Sequence, residues 1–152
     1  MTRIVCCGNR DRGDDAAAVL VAERLEQLGI RAEVYEGDPL AIIESWDPTD
    51  EVIVVDAMLT GAPAGSVQVW EIPLPATLPG ASASTHGLGV AEAVRLAQIV
   101  GRLPRSLRVY GIEGKHFHPG TGVSREVQQA VERVARQIAD ELALVAAGAR
   151  RG

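Results

Sequence analysis

Short apolar runs alternate along this chain with longer segments whose apolar residues recur at helical spacing. Strands are predicted at residues 3–7, 31–36, 52–55, 66–72 and 106–112. Helices are predicted at residues 16–28, 40–46, 89–101 and 124–147. Such an alternation with short connections is typical of a parallel sheet covered by helices on both faces. We therefore predict a three-layer α/β/α sandwich with a mostly parallel, mixed five-stranded sheet.

Two of the strands carry information about their place in the sheet. The run Val52–Val55 is continuously β-branched, as expected of a central strand buried on both faces, and it ends at Asp56. The segment MLTGAPAG that follows is too short to hold a crossover helix. Residues 66–72 are therefore expected to return antiparallel as an edge strand.

The length and composition of the chain fit one globular domain. With 152 residues, 47% of them hydrophobic, we expect a single domain over residues 1–152 with a frayed tail at about 148–152. Such a chain buries enough core to fold without disulfides, so Cys6 and Cys7 are expected to be packing residues. Unbridged cysteines, and the lack of a signal-like or membrane-spanning run, predict a cytoplasmic protein that does not enter membranes.

Charge and aromatic content exclude some functions. A formal net charge of −5, with one Phe, two Trp and two Tyr, is unlike a general nucleic-acid binder. The glycines of the loop GNRDRG are compatible with a phosphate-binding loop. The Lys-Ser/Thr pair that ends such a motif is missing, however, and the two aspartates after the loop would repel phosphate. The motifs G-x-S-x-G and H-E-x-x-H are absent as well.

Three polar residues stand where ligands bind in open α/β sheets, beyond the carboxyl ends of the strands. Asp15 follows the first strand, Asp56 ends the third, and His86 opens the third helix. The topology places all three at one edge of the sheet. Two carboxylates and an imidazole suit a divalent first-row metal such as nickel or zinc.

Each of these residues also has a simpler interpretation. Asp14 or Asp15 could cap the following helix by accepting its free N–H groups. Asp56 could be an ordinary turn residue at a strand end, and His86 could neighbour a capping Ser or Thr.

A second pair of histidines lies in the segment GKHFHPG. The spacing of His116 and His118 could bind a metal, but a Gly/Pro loop after the last strand favours an exposed loop that borders the site.

Four short elements in a fixed order carry a resemblance over nearly the whole chain. They are GN followed by GDD before a helix, VVDA at the third strand, STHGLG before the third helix, and GIE after the last strand. In this order they resemble the hydrogenase maturation proteases. That family removes a C-terminal extension from the large-subunit precursor of nickel-iron hydrogenases after nickel insertion, and has an α/β fold with a five-stranded sheet. The resemblance implies an aspartic-type endopeptidase.

The resemblance also implies roles for individual residues. It places the catalytic, metal-contacting positions at Asp15, Asp56 and His86, the three residues chosen from topology. The nickel would be carried by the substrate precursor, with no organic cofactor. The pair Glu36-Gly37 corresponds to an acidic-glycine element that recognises the precursor, although this chain has Glu where Asp is usual and Asp38 where a second glycine is usual.

Other functions stay open at the level of the sequence. A non-catalytic checkpoint or chaperone could bind the nickel-loaded precursor through the same residues without cutting it. A small-molecule hydrolase with an α/β fold is a further alternative. If the chain is a maturation protease, the expected partner is the hydrogenase large-subunit precursor. A monomer suffices, because all the proposed ligands lie on one chain.

Overall fold

The computed structural model describes residues 2–36, 38–71 and 88–151, and within them five strands and four α-helices. The strands are β1 (Thr2–Cys7), β2 (Glu33–Tyr35), β3 (Glu51–Met58), β4 (Val67–Glu71) and β5 (Ser106–Glu113). The helices are α1 (Ala17–Gln27), α2 (Pro39–Ser45), α3 (Leu88–Val100) and α4 (Arg125–Arg151). A 3-10 turn over Gly13–Ala16 leads into α1.

The strands form one mixed sheet in the order β2-β1-β3-β5-β4. The pairs β1–β2, β1–β3 and β3–β5 are parallel, and β4 is an antiparallel edge strand on β5. This confirms the predicted fold class and the return of the fourth strand. The β-branched strand β3 lies at the centre, where it is paired on both sides.

Helices cover both faces of the sheet. Side chains alternate along β1, so that Ile4 and Cys6 belong to the core under α1 and α4, while Val5 and Cys7 belong to the core under α2 and α3. Both cysteines are buried and free, as predicted for packing residues. The result is the expected three-layer arrangement.

Helices α2 and α3 both begin toward the carboxyl edge of the parallel strands. The indole Nε1 of Trp46, after α2, donates a 2.9 Å hydrogen bond to the carbonyl of Arg102, after α3. The backbone N–H of Arg105 donates to Asp50, just before β3. Both helices therefore end at the opposite edge of the sheet, where β3 and β5 start.

Two predicted boundaries differ from the structure by more than two residues. Strand β3 continues past Asp56 to Met58, because Ala57 and Met58 still pair with Ile112 and Glu113 of β5. Helix α4 continues to Arg151 rather than ending at residue 147, through residues of which most are alanine or arginine, both good helix formers. In the described part of the chain, no helix is long and apolar enough to cross a membrane.

Candidate active site

Asp56 occupies a buried position within β3, near the carboxyl edge of the sheet. It lies between Cys7 of β1 on one side and Gly111 of β5 on the other, in direct cross-strand register with both. Asp56 is 4% exposed, and its Oδ1 accepts a 2.9 Å hydrogen bond from the backbone N–H of Ala57. The sequence placed this aspartate at the end of a strand, whereas the strand continues beyond it.

Asp15 lies in the 3-10 turn that precedes α1 and is 5% exposed. The backbone N–H of Asn9 lies 3.2 Å from both the Oδ2 and the carbonyl oxygen of Asp15. Gly8 allows this close approach, because a Cβ at that position would lie 2.2 Å from the same carbonyl oxygen. The residues directly after β1 therefore hold both the backbone and the carboxylate of Asp15.

The two carboxylates influence each other. Burial raises the pKa of Asp56 well above its ordinary value, the negative charge of Asp15 raises it further, and the Ala57 hydrogen bond opposes both effects. Mutual repulsion in a site with little solvent favours either a bound proton or a bound cation. The pair can therefore supply oxygen ligands or exchange a proton.

The neighbouring thiol of Cys7 is not a nucleophile. Burial, followed by the charges of Asp56, Cys6 and Asp15, raises its pKa well above the ordinary thiol value. Because the thiolate is the reactive form, the thiol stays neutral and inert at this position. This agrees with the predicted packing role of both cysteines.

The interpretation of Asp14 or Asp15 as a helix cap is wrong. Neither the 3-10 turn nor α1 has a side-chain hydrogen bond at its N-cap. The carboxylate of Asp14 instead binds the segment between β5 and α4, more than a hundred residues away. The two consecutive aspartates therefore serve two different parts of the structure.

Glu113 is a further buried carboxylate at this edge, and sequence reasoning did not single it out. It ends β5, is 4% exposed, and accepts hydrogen bonds from the N–H of Thr60 at 2.8 Å and from the Thr60 hydroxyl at 2.6 Å. These bonds fix the chain that leaves β3 just beyond Asp56. The position of GIE at the end of a predicted strand could have pointed to Glu113, because ligands bind at the carboxyl ends of strands in such sheets.

The other predicted site residues have separate outcomes. His86 and Gly37 lie outside the described residues. Glu36 is exposed directly after β2, and His116 and His118 are exposed, as predicted for their loop. Within residues 2–36, 38–71 and 88–151, no three His, Cys, Asp or Glu side chains lie close enough together to hold a metal ion.

A cavity of about 320 Å³ opens at the other edge of the sheet. Its lining residues include Thr2, Glu51, Arg105, Arg108, Glu141 and Val145. Strands β1 and β3 begin at that edge, so the cavity is separated from Asp15 and Asp56 by the length of the central strands. It is not part of the acidic site.

Comparison with known proteins finds one family. A family model described as hydrogenase maturation protease matches residues 21–141, a range that includes Asp56 and His86 and begins after Asp15. The hydrogenase 2 maturation protease of Escherichia coli is 25% identical over 138 residues, which cover 86% of this chain and 84% of that protein.

Solved structures give the same result for the fold. The hydrogenase maturating endopeptidase HybD from E. coli has a TM-score of 0.72 at 22% identity, over 95% of this chain and 93% of that one. The [NiFe] hydrogenase maturation protease HycI from Thermococcus kodakarensis is 28% identical, with a TM-score of 0.65, over 91% and 90% of the two chains.

Proposed function

Because the chain belongs to the hydrogenase maturation protease family and is a peptidase, we propose that it removes the C-terminal extension from the large-subunit precursor of a nickel-iron hydrogenase. The family match over residues 21–141 is the observation that carries this proposal. The buried pair of Asp15 and Asp56 supports it, because the pair provides a site in which a reaction on a peptide bond can take place.

In this proposal Asp15, Asp56 and His86 contact the nickel ion that the precursor carries. Carboxylate oxygens and an imidazole nitrogen suit nickel, and three ligands leave room for groups of the precursor. The repulsion between the two carboxylates supports the assignment, since a divalent cation relieves it. His86 lies two positions before the first residue of α3, and that helix begins toward the edge that holds the two aspartates.

The nickel then serves as the mark of a finished precursor. When the three residues bind the nickel, the adjacent peptide bond of the precursor is held in the site. The binding energy thereby orients this bond for hydrolysis. Hydrolysis adds a water oxygen to the carbonyl carbon and breaks the C–N bond, while the proton lost by the water is transferred to the leaving amine.

Recognition of the precursor is proposed for Glu36 and Gly37. Glu36 directly follows β2, whose carboxyl end lies at the same edge of the sheet as the carboxyl ends of β1 and β3. The exposure of Glu36 supports this role. Asp38, which replaces a glycine usual in the family, caps α2, because its Oδ1 accepts a 3.0 Å hydrogen bond from the N–H of Leu40. This departure from the family pattern therefore stabilises a helix and leaves the acidic residue in place.

The compartment and the oligomeric state complete the proposal. The free, buried Cys6 and Cys7 support a reducing compartment, for which we propose the cytoplasm. The position of Asp15 and Asp56 on one chain supports a monomer as the active form.

The test is the intact mass of the hydrogenase large subunit in cells supplied with nickel. Cells would carry the wild-type protein, Asp15→Asn, Asp56→Asn or His86→Ala, with Asp50→Asn as a control at the opposite edge of the sheet. We expect an uncleaved extension in the three site variants only. A subunit that matures normally in every strain would overturn the proposed function, and a precursor that is bound but never shortened would identify a checkpoint protein instead.

A further inference from the structure

The carboxylate of Asp14 accepts hydrogen bonds from several donors in the segment that joins β5 to α4. Its Oδ2 accepts from the backbone N–H groups of Lys115 at 2.8 Å and His116 at 3.1 Å. Its Oδ1 accepts from the N–H of Ser124 at 2.7 Å, and the Ser124 hydroxyl lies 2.9 Å from both oxygens. Asp14 itself is fully buried. One side chain thus binds both ends of the segment that joins β5 to α4.

The backbone around Asp14 is equally close to that segment. The N–H of Asp14 donates a 2.6 Å hydrogen bond to the carbonyl of His116. A Cβ at Gly13 would lie 2.4 Å from the same carbonyl, and a Cβ at Gly114 would lie 2.7 Å from the Cβ of Asp14. Glycine at both positions is what lets the 3-10 turn and the later segment pack in contact.

The same turn carries Asp15, which is hydrogen-bonded to the loop that follows β1. The N–H of Asp15 donates to the carbonyl of Arg12, and its carbonyl and carboxylate accept from Asn9. The Asp15 charge acts on Asp56 and Cys7. Asp14 and Asp15 share a peptide bond, so a movement of Asp14 is transmitted to Asp15 directly.

We propose that Asp14 is a positioning residue, which holds the Asp15 carboxylate in its place beside Asp56 by tying the 3-10 turn to the segment 115–124. The inference rests on the proposed function, for which Asp15 must be correctly placed. Asp14 does not contact the substrate. Its contribution is to prevent the turn from shifting, because a misplacement of about 1 Å can cost about a hundredfold in rate.

The charge of Asp14 is essential to this role. All the groups that face it are donors, and a carboxylate is an acceptor through both oxygens. An amide of the same shape offers one acceptor and one donor, so Asp14→Asn would turn an NH₂ group toward an N–H donor. The segment 115–124 must then move away from the 3-10 turn until the two donors no longer repel each other.

The experiment compares Asp14→Asn with Asp50→Asn in the 152-residue chain. Asp50 is also buried and also accepts from a backbone N–H and from a charged side chain, Arg3, but it lies at the far edge of the sheet. Cleavage of nickel-loaded precursor gives kcat and KM, normalised to the folded fraction. Amide hydrogen exchange at Asn9 reports the Asp15 turn independently of activity, since Asn9 donates to Asp15 and not to Asp14.

We expect Asp14→Asn to lower kcat at least about tenfold, with KM changed less than about threefold, and to speed Asn9 exchange about tenfold. Asp50→Asn should leave kcat, KM and the Asn9 exchange rate within about twofold of the wild-type values. If either kcat or Asn9 exchange in Asp14→Asn matches Asp50→Asn, the positioning role is overturned. If the wild-type protein does not cleave the precursor, the proposed function fails, and Asn9 exchange alone then decides whether Asp14 holds the turn.

A milder variant covers the case in which Asp14→Asn does not fold. Ser124→Ala removes only the hydroxyl bonds to Asp14, and Ser45→Ala removes a hydroxyl bond to the Ile42 carbonyl at the other edge of the sheet. We expect a loss of kcat of about threefold for Ser124→Ala, with faster Asn9 exchange, and no change for Ser45→Ala. Equal behaviour of these two variants would contradict the proposal.

Discussion

Cys7 and Asp56 are direct cross-strand neighbours in the parallel pairing of β1 and β3. Both side chains lie on the face covered by α2 and α3, while the adjacent Cys6 lies on the opposite face under α1 and α4. A neutral thiol, rather than a strong hydrogen-bond donor, therefore flanks the buried carboxylate. Burial and the charge of Asp15 raise the pKa of Asp56, and a thiol is too weak a hydrogen-bond donor to oppose them strongly.

The first prediction follows from this neighbour. Cys7→Ser places a stronger donor beside Asp56, which stabilises the charged carboxylate and lowers the pKa of Asp56. We expect the acidic limb of the pH dependence of kcat/KM to move to lower pH by about 0.5–1 unit, since a neutral hydrogen bond contributes about 1 kcal/mol. Cys6→Ser is the control, because it buries a hydroxyl on the other face of the sheet. An acidic limb that moves equally in both variants would refute the interpretation.

The second prediction concerns stability without precursor. The pKa of Asp56 is raised in the folded state, so the folded protein binds a proton more tightly than the unfolded chain, and stability falls as pH rises through the window from the unfolded pKa to the folded one. Asp56→Asn removes this cost. We expect it to raise the unfolding free energy at pH 7 by about 0.5–2 kcal/mol while abolishing cleavage.

Asp50→Asn should have the opposite sign. The N–H of Asp47 lowers the pKa of Asp50, burial opposes this, and Arg3 lowers it further. Its charged form therefore stabilises the fold above the unfolded pKa, and that stability is lost as pH falls through the folded value. Urea titrations of the two variants and the wild type at pH 7 compare them directly. Destabilisation by both substitutions would contradict the assignment of Asp56 as a strained carboxylate.

The fold and the position of two candidate residues near one edge of the sheet could be argued from the sequence, and there is a physical reason why their contacts could not. Strand ends and their polar residues are local signals, which is why the sequence pointed to Asp15 and Asp56 as candidates. The partners of Asp14 lie at Lys115, His116 and Ser124, so only the folded chain reveals which of the two consecutive aspartates binds this distant segment. The continuation of β3 past Asp56 likewise depends on pairing with β5, which no local pattern specifies.

The third prediction tests the packing of the 3-10 turn. Gly13 has a φ of +57°, and a Cβ there would lie 2.4 Å from the His116 carbonyl and 2.5 Å from the Thr121 hydroxyl. Gly29 has a φ of +81° with open space around it. We expect Gly29→Ala to cost about 1–2 kcal/mol, from the left-handed backbone alone, and Gly13→Ala to cost at least about 3 kcal/mol. Equal midpoints in urea unfolding would show that the contact relaxes freely.

The fourth prediction concerns the nickel in the precursor. Without a cation, binding must bring precursor groups beside two carboxylates that already repel each other. We expect nickel-free precursor to bind at least about tenfold more weakly than nickel-loaded precursor, and not to be cut. Asp56→Asn should reduce this difference, because it removes one of the charges. Titration calorimetry gives the affinities of the wild-type protein and of Asp56→Asn for the nickel-loaded and the nickel-free precursor. Efficient cleavage of nickel-free precursor would count against the proposed mechanism.

The last prediction separates recognition from local stability at the end of β2. Glu36→Gln removes an exposed charge that the proposal places against the precursor, so we expect KM to rise about three- to tenfold with kcat and stability unchanged, the range of an exposed or partly buried ion pair. Asp38→Ala instead removes the cap of α2 and should lower the unfolding free energy by about 1 kcal/mol, with KM nearly unchanged. Steady-state cleavage and urea unfolding of the two variants distinguish the roles. If Glu36→Gln leaves KM unchanged, Glu36 does not take part in recognition of the precursor, and that part of the proposal is wrong.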